Sequence, residues 1–125
     1  MVTHPAPRIS VVVPMLNEER NVPALLDRLF RALTGLGETF EVLCIDDGAH
    51  DGTARILAEE ARARRELRVL SLARNFGQHA AILAGFEASR GDWIITIDAD
   101  LQNPPEEIPR LVDELRKGHD LVGTF

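Results

Sequence analysis

Short apolar runs alternate along the chain with segments in which apolar residues recur at helical spacing. The runs predict buried strands at residues 9–13, 40–45, 67–72, 92–97 and 121–124, and Pro14 is expected to end the first of them. The segments between them predict helices at residues 22–33, 53–65, 78–89 and 105–116, the first capped by Asn21 and stopped by Gly35. Because parallel strands need crossover connections, this order predicts a doubly wound, mainly parallel α/β sheet with helices on both faces.

Length and composition limit the class of protein. A chain of 125 residues fits one domain, 1–125, and its 45% apolar and 27% charged residues exclude disordered and collagen-like chains. A net charge of −6 without a dense basic cluster argues against nucleic acid as a partner. The apolar runs fall short of the about 20 residues of a membrane span. The lack of a secretory signal pattern and the lone Cys44 lead us to expect a cytoplasmic location.

Polar clusters follow the predicted strands at residues 17–19, 46–51, 74–78 and 98–103. Open α/β sheets bind ligands at the carboxyl ends of their strands, so we expect these clusters to converge on one rim. The chain has neither a dinucleotide-binding glycine fingerprint nor a P-loop. Phosphate binding at this rim is therefore expected to depend on a metal ion.

Two aspartates follow the fourth strand at alternate positions. In extended backbone Asp98 and Asp100 point to one side, and a hard divalent cation relieves the repulsion between their carboxylates. Gln102 can add a third oxygen, and Mg²⁺ or Mn²⁺ would complete its shell with substrate phosphates. The alternative is that both aspartates form an Asx-turn that caps the helix starting near residue 105.

The second and third clusters offer hydrogen-bonding groups to a ligand. Asp47 is expected to accept hydrogen bonds from a nucleobase imide or a ribose hydroxyl, whereas Asp51 and Thr53 are expected to cap the following helix. Arg74 can bind a phosphate or a sugar carboxylate, or it can be a surface charge at a helix end. Phe76 is expected in the core.

Four spaced motifs carry a resemblance to a known family. They are Val12-Val13-Pro14-Met15-Leu16-Asn17-Glu18-Glu19, Ile45-Asp46-Asp47-Gly48, Arg74-Asn75-Phe76-Gly77 followed by Ala80 and Ala81, and residues 98–102 followed by Pro104 and Pro105. In this order they resemble the inverting family 2 glycosyltransferases with the GT-A fold. The similarity is strongest to the polyprenyl-phosphate glycosyltransferases related to dolichol-phosphate mannose synthases.

The resemblance implies a function for individual positions. Asp98 and Asp100 would be catalytic, the metal ligands would be Asp98, Asp100 and Gln102, and the nucleotide would be bound by Pro14, Leu16, Glu18, Asp47, Arg74 and Asp98. The implied reaction transfers a sugar, with inversion, from a nucleotide diphosphate donor to a polyprenyl phosphate. Mg²⁺ or Mn²⁺ would act as Lewis acid on the departing diphosphate. The acceptor phosphate is already ionised, so a general base is unnecessary.

The chain also departs from the family pattern. Leu16 replaces an aromatic residue and Ala49 replaces a serine. Family members continue beyond Phe125 with acceptor-binding residues and membrane-associated segments, so we expect an amino-terminal portion of a longer enzyme that transfers little sugar alone. Membrane attachment, at the cytoplasmic face, would come only through those further segments. An open sheet edge is expected to permit a homodimer.

Two rival functions are considered. Phosphohydrolases of the haloacid dehalogenase type also place two aspartates after a parallel strand, but they need Thr or Val where Gln102 stands. A non-catalytic nucleotide-binding or assembly module is the other alternative.

Overall fold

The computed structural model describes residues 6–99 and 104–118. Strands and helices alternate in the predicted order: β1 Ile9–Met15, α1 Val22–Thr34, β2 Phe40–Asp46, α2 Thr53–Ala63, β3 Leu67–Ser71, α3 Gln78–Ala88, β4 Trp93–Thr96, a 3₁₀ turn Pro105–Glu107, and α4 Ile108–Arg116. The predicted strand at 121–124 lies outside the described residues. Within the described parts of the chain, no helix has the length and apolar character needed to cross a membrane.

The described strands form one parallel sheet in the order β3-β2-β1-β4. From β1 the chain moves outward to β2 and β3, and β4 then pairs with the opposite side of β1. The chain leaves β1 toward β2, whereas β4 lies on the other side of β1, so the strand order reverses between β1 and β4. A crevice for a ligand is expected at the carboxyl ends of strands where the order reverses in this way. The predicted parallel α/β architecture is confirmed.

Alternation along the central strands divides the core between two faces. Val11 and Val13 contribute to the larger cluster, in which β1 and β2 pack with α1, α2 and α4. Val12 points to the other face, where it meets Leu43 and the Ala81 side chain of α3. All seven residues of β1 are buried, as expected for a strand with helices on both faces.

The prediction that Pro14 ends the first strand is wrong. β1 continues through Pro14, which pairs in register with Ile45 of β2. The carbonyl of Val12 accepts from Ile97 N, directly after β4, and that of Met15 accepts from Asp47 N, directly after β2. Pro14 thus turns its missing N–H toward β4, just beyond the end of the β1–β4 pairing, where no ladder bond is lost.

Two helix ends differ in detail from the prediction. Asn21 holds the N-cap position of α1 but caps no backbone N–H, because its side chain donates to Glu18 Oε2 over 2.8 Å. Gly35 ends the same helix with a φ of −69°, a conformation open to any residue. The last predicted helix is divided, since its first residues form the 3₁₀ turn that precedes Ile108–Arg116.

Candidate functional site

A cavity of about 360 Å³ opens at the carboxyl ends of β1, β2 and β4. It is lined by Pro14, Met15, Leu16, Glu18, Asp47, Asn75, Gly77, Gln78, Asp98 and Ala99. Five of the predicted nucleotide-binding residues are among them, namely Pro14, Leu16, Glu18, Asp47 and Asp98. Arg74 is not in the lining, and the predicted ligands Asp100 and Gln102 lie outside the described residues.

The loop after β1 forms one wall and is fixed by the loop after β2. Asn17 has a positive φ of 54°, and its Oδ1 accepts from His50 N at 2.8 Å. Glu18 N donates to Thr53 Oγ1 at 2.9 Å, and Glu19 Oε2 accepts from Gly52 N at 3.0 Å. These contacts fix the backbone of the loop that carries the wall residues Leu16 and Glu18.

Asp51 and Thr53 connect these two loops. The Asp51 carboxylate accepts from Thr53 N at 2.9 Å and from the Thr53 hydroxyl, so it satisfies an N–H at the start of α2 as predicted. The prediction that Thr53 also caps α2 is wrong, because Thr53 is the first residue of the helix. Its hydroxyl instead accepts a hydrogen bond from Glu18 N and so links the two loops. Burial by itself raises the pKa of Asp51, but hydrogen bonds from Thr53 and Glu19 outweigh it and lower the pKa.

Asp47 holds the third loop of the rim, residues 74–77, which follows β3. Its side chain is 3% exposed, and its two oxygens accept from Phe76 N at 2.9 Å and Gly77 N at 3.0 Å. A carboxylate has about four lone-pair sites, so these bonds leave Asp47 able to accept from a ligand in the cavity it lines. The predicted contact with a base or a ribose stays a prediction.

Gly48 allows the third loop to approach so closely. Its φ is 76°, and a Cβ atom there would lie 2.5 Å from Asn75 N and 2.6 Å from the carbonyl carbon of Arg74. Backbone atoms cannot yield as a flexible side chain can, so only glycine fits this position. The motif Asp47-Gly48 thus contacts the backbone of residues 74–77 and fixes its position.

Arg74 and Phe76 lie together at the surface of this loop. The Arg74 guanidinium carbon is 4.8 Å from the centre of the Phe76 ring. Phe76 is 50% exposed, so the expectation that it belongs to the core is wrong. The loop is anchored through its backbone by Asp47, which leaves the ring outside.

Asp98 follows β4 and is half-buried at the cavity. Its Oδ1 accepts from Gln78 Nε2 at 3.1 Å. Gln78 lies in the predicted rim cluster 74–78, but sequence reasoning gave it no function. The available signal was its position as the first residue of α3, at the end of the predicted rim cluster, where a polar side chain can reach the cavity.

The described residues include one of the three predicted metal ligands, Asp98. Asp98 brings carboxylate oxygen to the cavity, and oxygen is the ligand type that Mg²⁺ and Mn²⁺ take. Among residues 6–99 and 104–118, no group of at least three His, Cys, Asp or Glu side chains is placed to hold a metal. A divalent ion at Asp98 would therefore need further ligands from residues 100–103 or from a bound diphosphate.

Comparison with known proteins decides the family. Residues 10–125 match the domain described as Glycosyl transferase family 2. The chain belongs to this family. It is 53% identical, over 94% of its length, to an undecaprenyl-phosphate 4-deoxy-4-formamido-L-arabinose transferase of Aeromonas hydrophila, of which it covers 36%. The chain thus spans about a third of the length of these relatives.

Solved structures confirm the GT-A fold of the glycosyltransferase domain. The crystal structure of S. aureus TarS 1–349 with UDP-GlcNAc is 25% identical, with a TM-score of 0.70 over 90% of this chain and 32% of the TarS 1–349 chain. The mannosyltransferase PcManGT from Pyrobaculum calidifontis, in complex with GDP-Man and Mn²⁺, is 22% identical, with a TM-score of 0.74 over 88% of this chain and 32% of PcManGT. The predicted family and fold are therefore confirmed, and the haloacid dehalogenase alternative loses its basis.

Proposed function

We propose that this chain is the donor-binding part of an inverting glycosyltransferase that uses a nucleotide diphosphate sugar and a polyprenyl phosphate. The observation that carries the proposal is the cavity at the β1–β4 crevice, where Asp47, Glu18 and Asp98 converge. Such a crevice is the usual ligand site of a doubly wound sheet. The family membership supplies the reaction class.

The nucleoside would lie between the first and third loops. Pro14 and Leu16 offer an apolar wall, and Glu18 and Asp47 offer acceptors for ribose hydroxyls or a base imide. A smaller aliphatic wall at Leu16 can pack against a base without the offset stacking of an aromatic ring. Arg74 lies at the surface of the third loop, outside the cavity lining, and would contact only a part of the donor that extends out of the cavity.

The donor diphosphate would be bound with Mg²⁺ or Mn²⁺. Asp98, Asp100 and Gln102 would hold the ion, which when bound neutralises charge on the departing diphosphate. PcManGT, a structural neighbour, was solved with GDP-Man and Mn²⁺. Asp98 and Asp100 would thus contribute to catalysis by holding the ion at the diphosphate of the donor.

The acceptor would be undecaprenyl or another polyprenyl phosphate, because the curated relatives are named as undecaprenyl-phosphate transferases. Its monoester has a second pKa of about 6, so the oxygen that attacks the anomeric carbon is ionised at neutral pH. We place the reaction at the cytoplasmic face of a membrane. Homodimerisation through an open sheet edge remains a prediction that sedimentation equilibrium would test.

Calorimetric titration with UDP in the presence of Mn²⁺ tests the donor site. Asp98→Ala is expected to weaken binding at least tenfold, as loss of a metal ligand does. Asp92→Ala is the matched control, because Asp92 lies at the opposite end of β4 in an exposed pair with Arg8. Equal loss in both variants, or no binding by the unmodified chain, would contradict the proposed function.

A transfer assay tests whether this chain is sufficient for the reaction. UDP binding without sugar transfer to undecaprenyl phosphate is expected from this chain alone. Robust transfer by these 125 residues would show that the acceptor site needs no further segment. An assembly function without donor binding would leave both assays negative.

A further inference from the structure

Gln78 connects two loops of the rim across the cavity. It is the first residue of α3, and its Nε2 donates to Oδ1 of Asp98, 20 positions further along the chain, over 3.1 Å. Both side chains line the cavity. The start of α3 and the end of β4 are thus joined by a side-chain contact at the place where a donor would bind.

The backbone before Gln78 is held in a fixed position. Asp47 accepts the N–H groups of Phe76 and Gly77, and Asn75 Oδ1 accepts Gly77 N as well, at 2.9 Å. Gly77 has a φ of 98°, a conformation that favours glycine, and its carbonyl accepts from Ala81 in the first turn of α3. Asp47, directly after β2, therefore fixes the position at which α3 starts. This position in turn places the Gln78 side chain at the cavity.

The chemistry of the amide suits the orientation of a carboxylate. An N–H donor to one oxygen occupies only one of the about four lone-pair sites of a carboxylate. The amide is neutral, so it orients Asp98 without cancelling the charge that attracts a cation. Groups that orient ligating carboxylates in this way affect metal affinity strongly.

We propose that Gln78 is a positioning residue that fixes the Asp98 carboxylate for the metal-bound donor. The loop at 74–77, anchored by Asp47, delivers Gln78 to that place. This inference rests on the proposed function for its ligand, but the contact itself can be measured without any ligand.

Binding of UDP with Mn²⁺ provides the first test. Gln78→Met keeps the length of the side chain and removes the donor, and we expect about a tenfold loss of affinity. His79→Gln is the matched control, because His79 is the exposed neighbour on α3 and does not line the cavity. Both variants are expected to have the same melting temperature as the unmodified chain. Unchanged affinity in Gln78→Met would overturn the proposal.

A double-mutant cycle distinguishes positioning from direct contact with the ligand. In the Asp98→Ala background, Gln78→Met is expected to cause no further loss, since the group that it positions is gone. A further loss of the same size would overturn the proposal, because Gln78 would then act on the donor by itself. Manganese titrated without nucleotide should show the same pattern if the effect passes through the ion.

The unliganded chain gives an independent measurement. The side-chain amide resonances of Gln78 are expected to shift in Asp98→Ala and to stay unchanged in Asp92→Ala. No shift in Asp98→Ala would overturn the proposal whether or not nucleotide binds. A shift together with no UDP binding by the unmodified chain would support the contact and contradict only the proposed function.

Discussion

Asp47 shows how a single carboxylate can organise a binding rim. It accepts two successive backbone N–H groups, from Phe76 and Gly77, and is almost completely buried. Asn at this position would offer one acceptor and would turn its own NH₂ group toward the other N–H. Two donors would then face each other in a buried setting, which is costly.

We therefore expect Asp47→Asn to release the loop at 74–77. The free energy of unfolding should fall by about 1–3 kcal/mol, and hydrogen exchange should speed up at the Phe76 and Gly77 amides. Asp27→Asn is the control, since Asp27 is an exposed residue of α1. Unchanged exchange at both amides would show that Asp47 does not hold the loop.

Glu41 is a second buried carboxylate, at the opposite end of the sheet. It is 2% exposed and accepts from Ser10 Oγ at 2.6 Å, Arg90 N at 2.8 Å and Arg68 Nη1 at 2.8 Å. Burial by itself raises the pKa of Glu41, but these hydrogen bonds outweigh it, and the pKa lies below its ordinary value of 4.5. The charged form is thus favoured by folding.

A lowered folded-state pKa stabilises the protein above pH 4.5 and loses that effect as the pH falls through the folded value. Glu41→Gln should lower the free energy of unfolding by about 1–3 kcal/mol at neutral pH. The difference should shrink in acid, where the native carboxyl is protonated too. Urea unfolding across this pH range measures it, with Glu59→Gln in an exposed pair as control. A difference that grows in acid would contradict the assignment.

At the scale of elements, α3 depends on one glycine for its fit against the sheet. A Cβ atom on Gly85 would collide with Val12 Cγ1 and would lie 3.2 Å from Val12 Cγ2. On the opposite side of the helix, Leu83 and Phe86 are exposed. The helix is therefore seated by small residues, Ala81 and Gly85, on a central strand.

Gly85→Ala should destabilise the chain although alanine favours helices. The helix propensity gain is about 1 kcal/mol, whereas overpacking in a filled core costs about 1–3 kcal/mol. In a Val12→Ala background the same substitution should become neutral or stabilising, because the collision is removed. Chemical denaturation of the single and double variants measures the coupling, and a gain from Gly85→Ala alone would refute the tight fit.

At the scale of the whole molecule, Cys44 reports on the integrity of the sheet. It lies on β2 with no exposed surface, and burial raises its pKa to about 12. A protonated and inaccessible thiol should react with a disulfide reagent only when the domain unfolds. The rate with Ellman's reagent should follow the unfolded fraction as urea is increased. Rapid reaction of the native chain would contradict the buried position.

Much of the fold was predictable because the central strands β1 and β2 are buried and mostly apolar. Residues 9–13 and 40–45 could only be central strands, and the helices between them enforced a parallel sheet. Pro14 misled because its effect depends on which neighbour its missing N–H faces, and that is set by the register with β4. Such a relation between distant strands is invisible in a single segment.

The sequence predicts which loops form the site, but it does not predict the individual side-chain contacts between them. The convergence of Asp47 and Asp98 follows from parallel topology alone. The contact of Gln78 with Asp98, and the exposure of Phe76, depend on how closely the loop at 74–77 approaches Gly48. That approach is decided by backbone atoms, which the sequence specifies only through a glycine.

The hydrogen bonds that tie the first rim loop to the second and the third to Asp47 have a thermodynamic consequence. These three loops would not need to fold when a donor molecule binds, so they would lose little chain entropy on association. Their contribution to the heat-capacity change of binding should then reflect only the surface that the nucleotide covers.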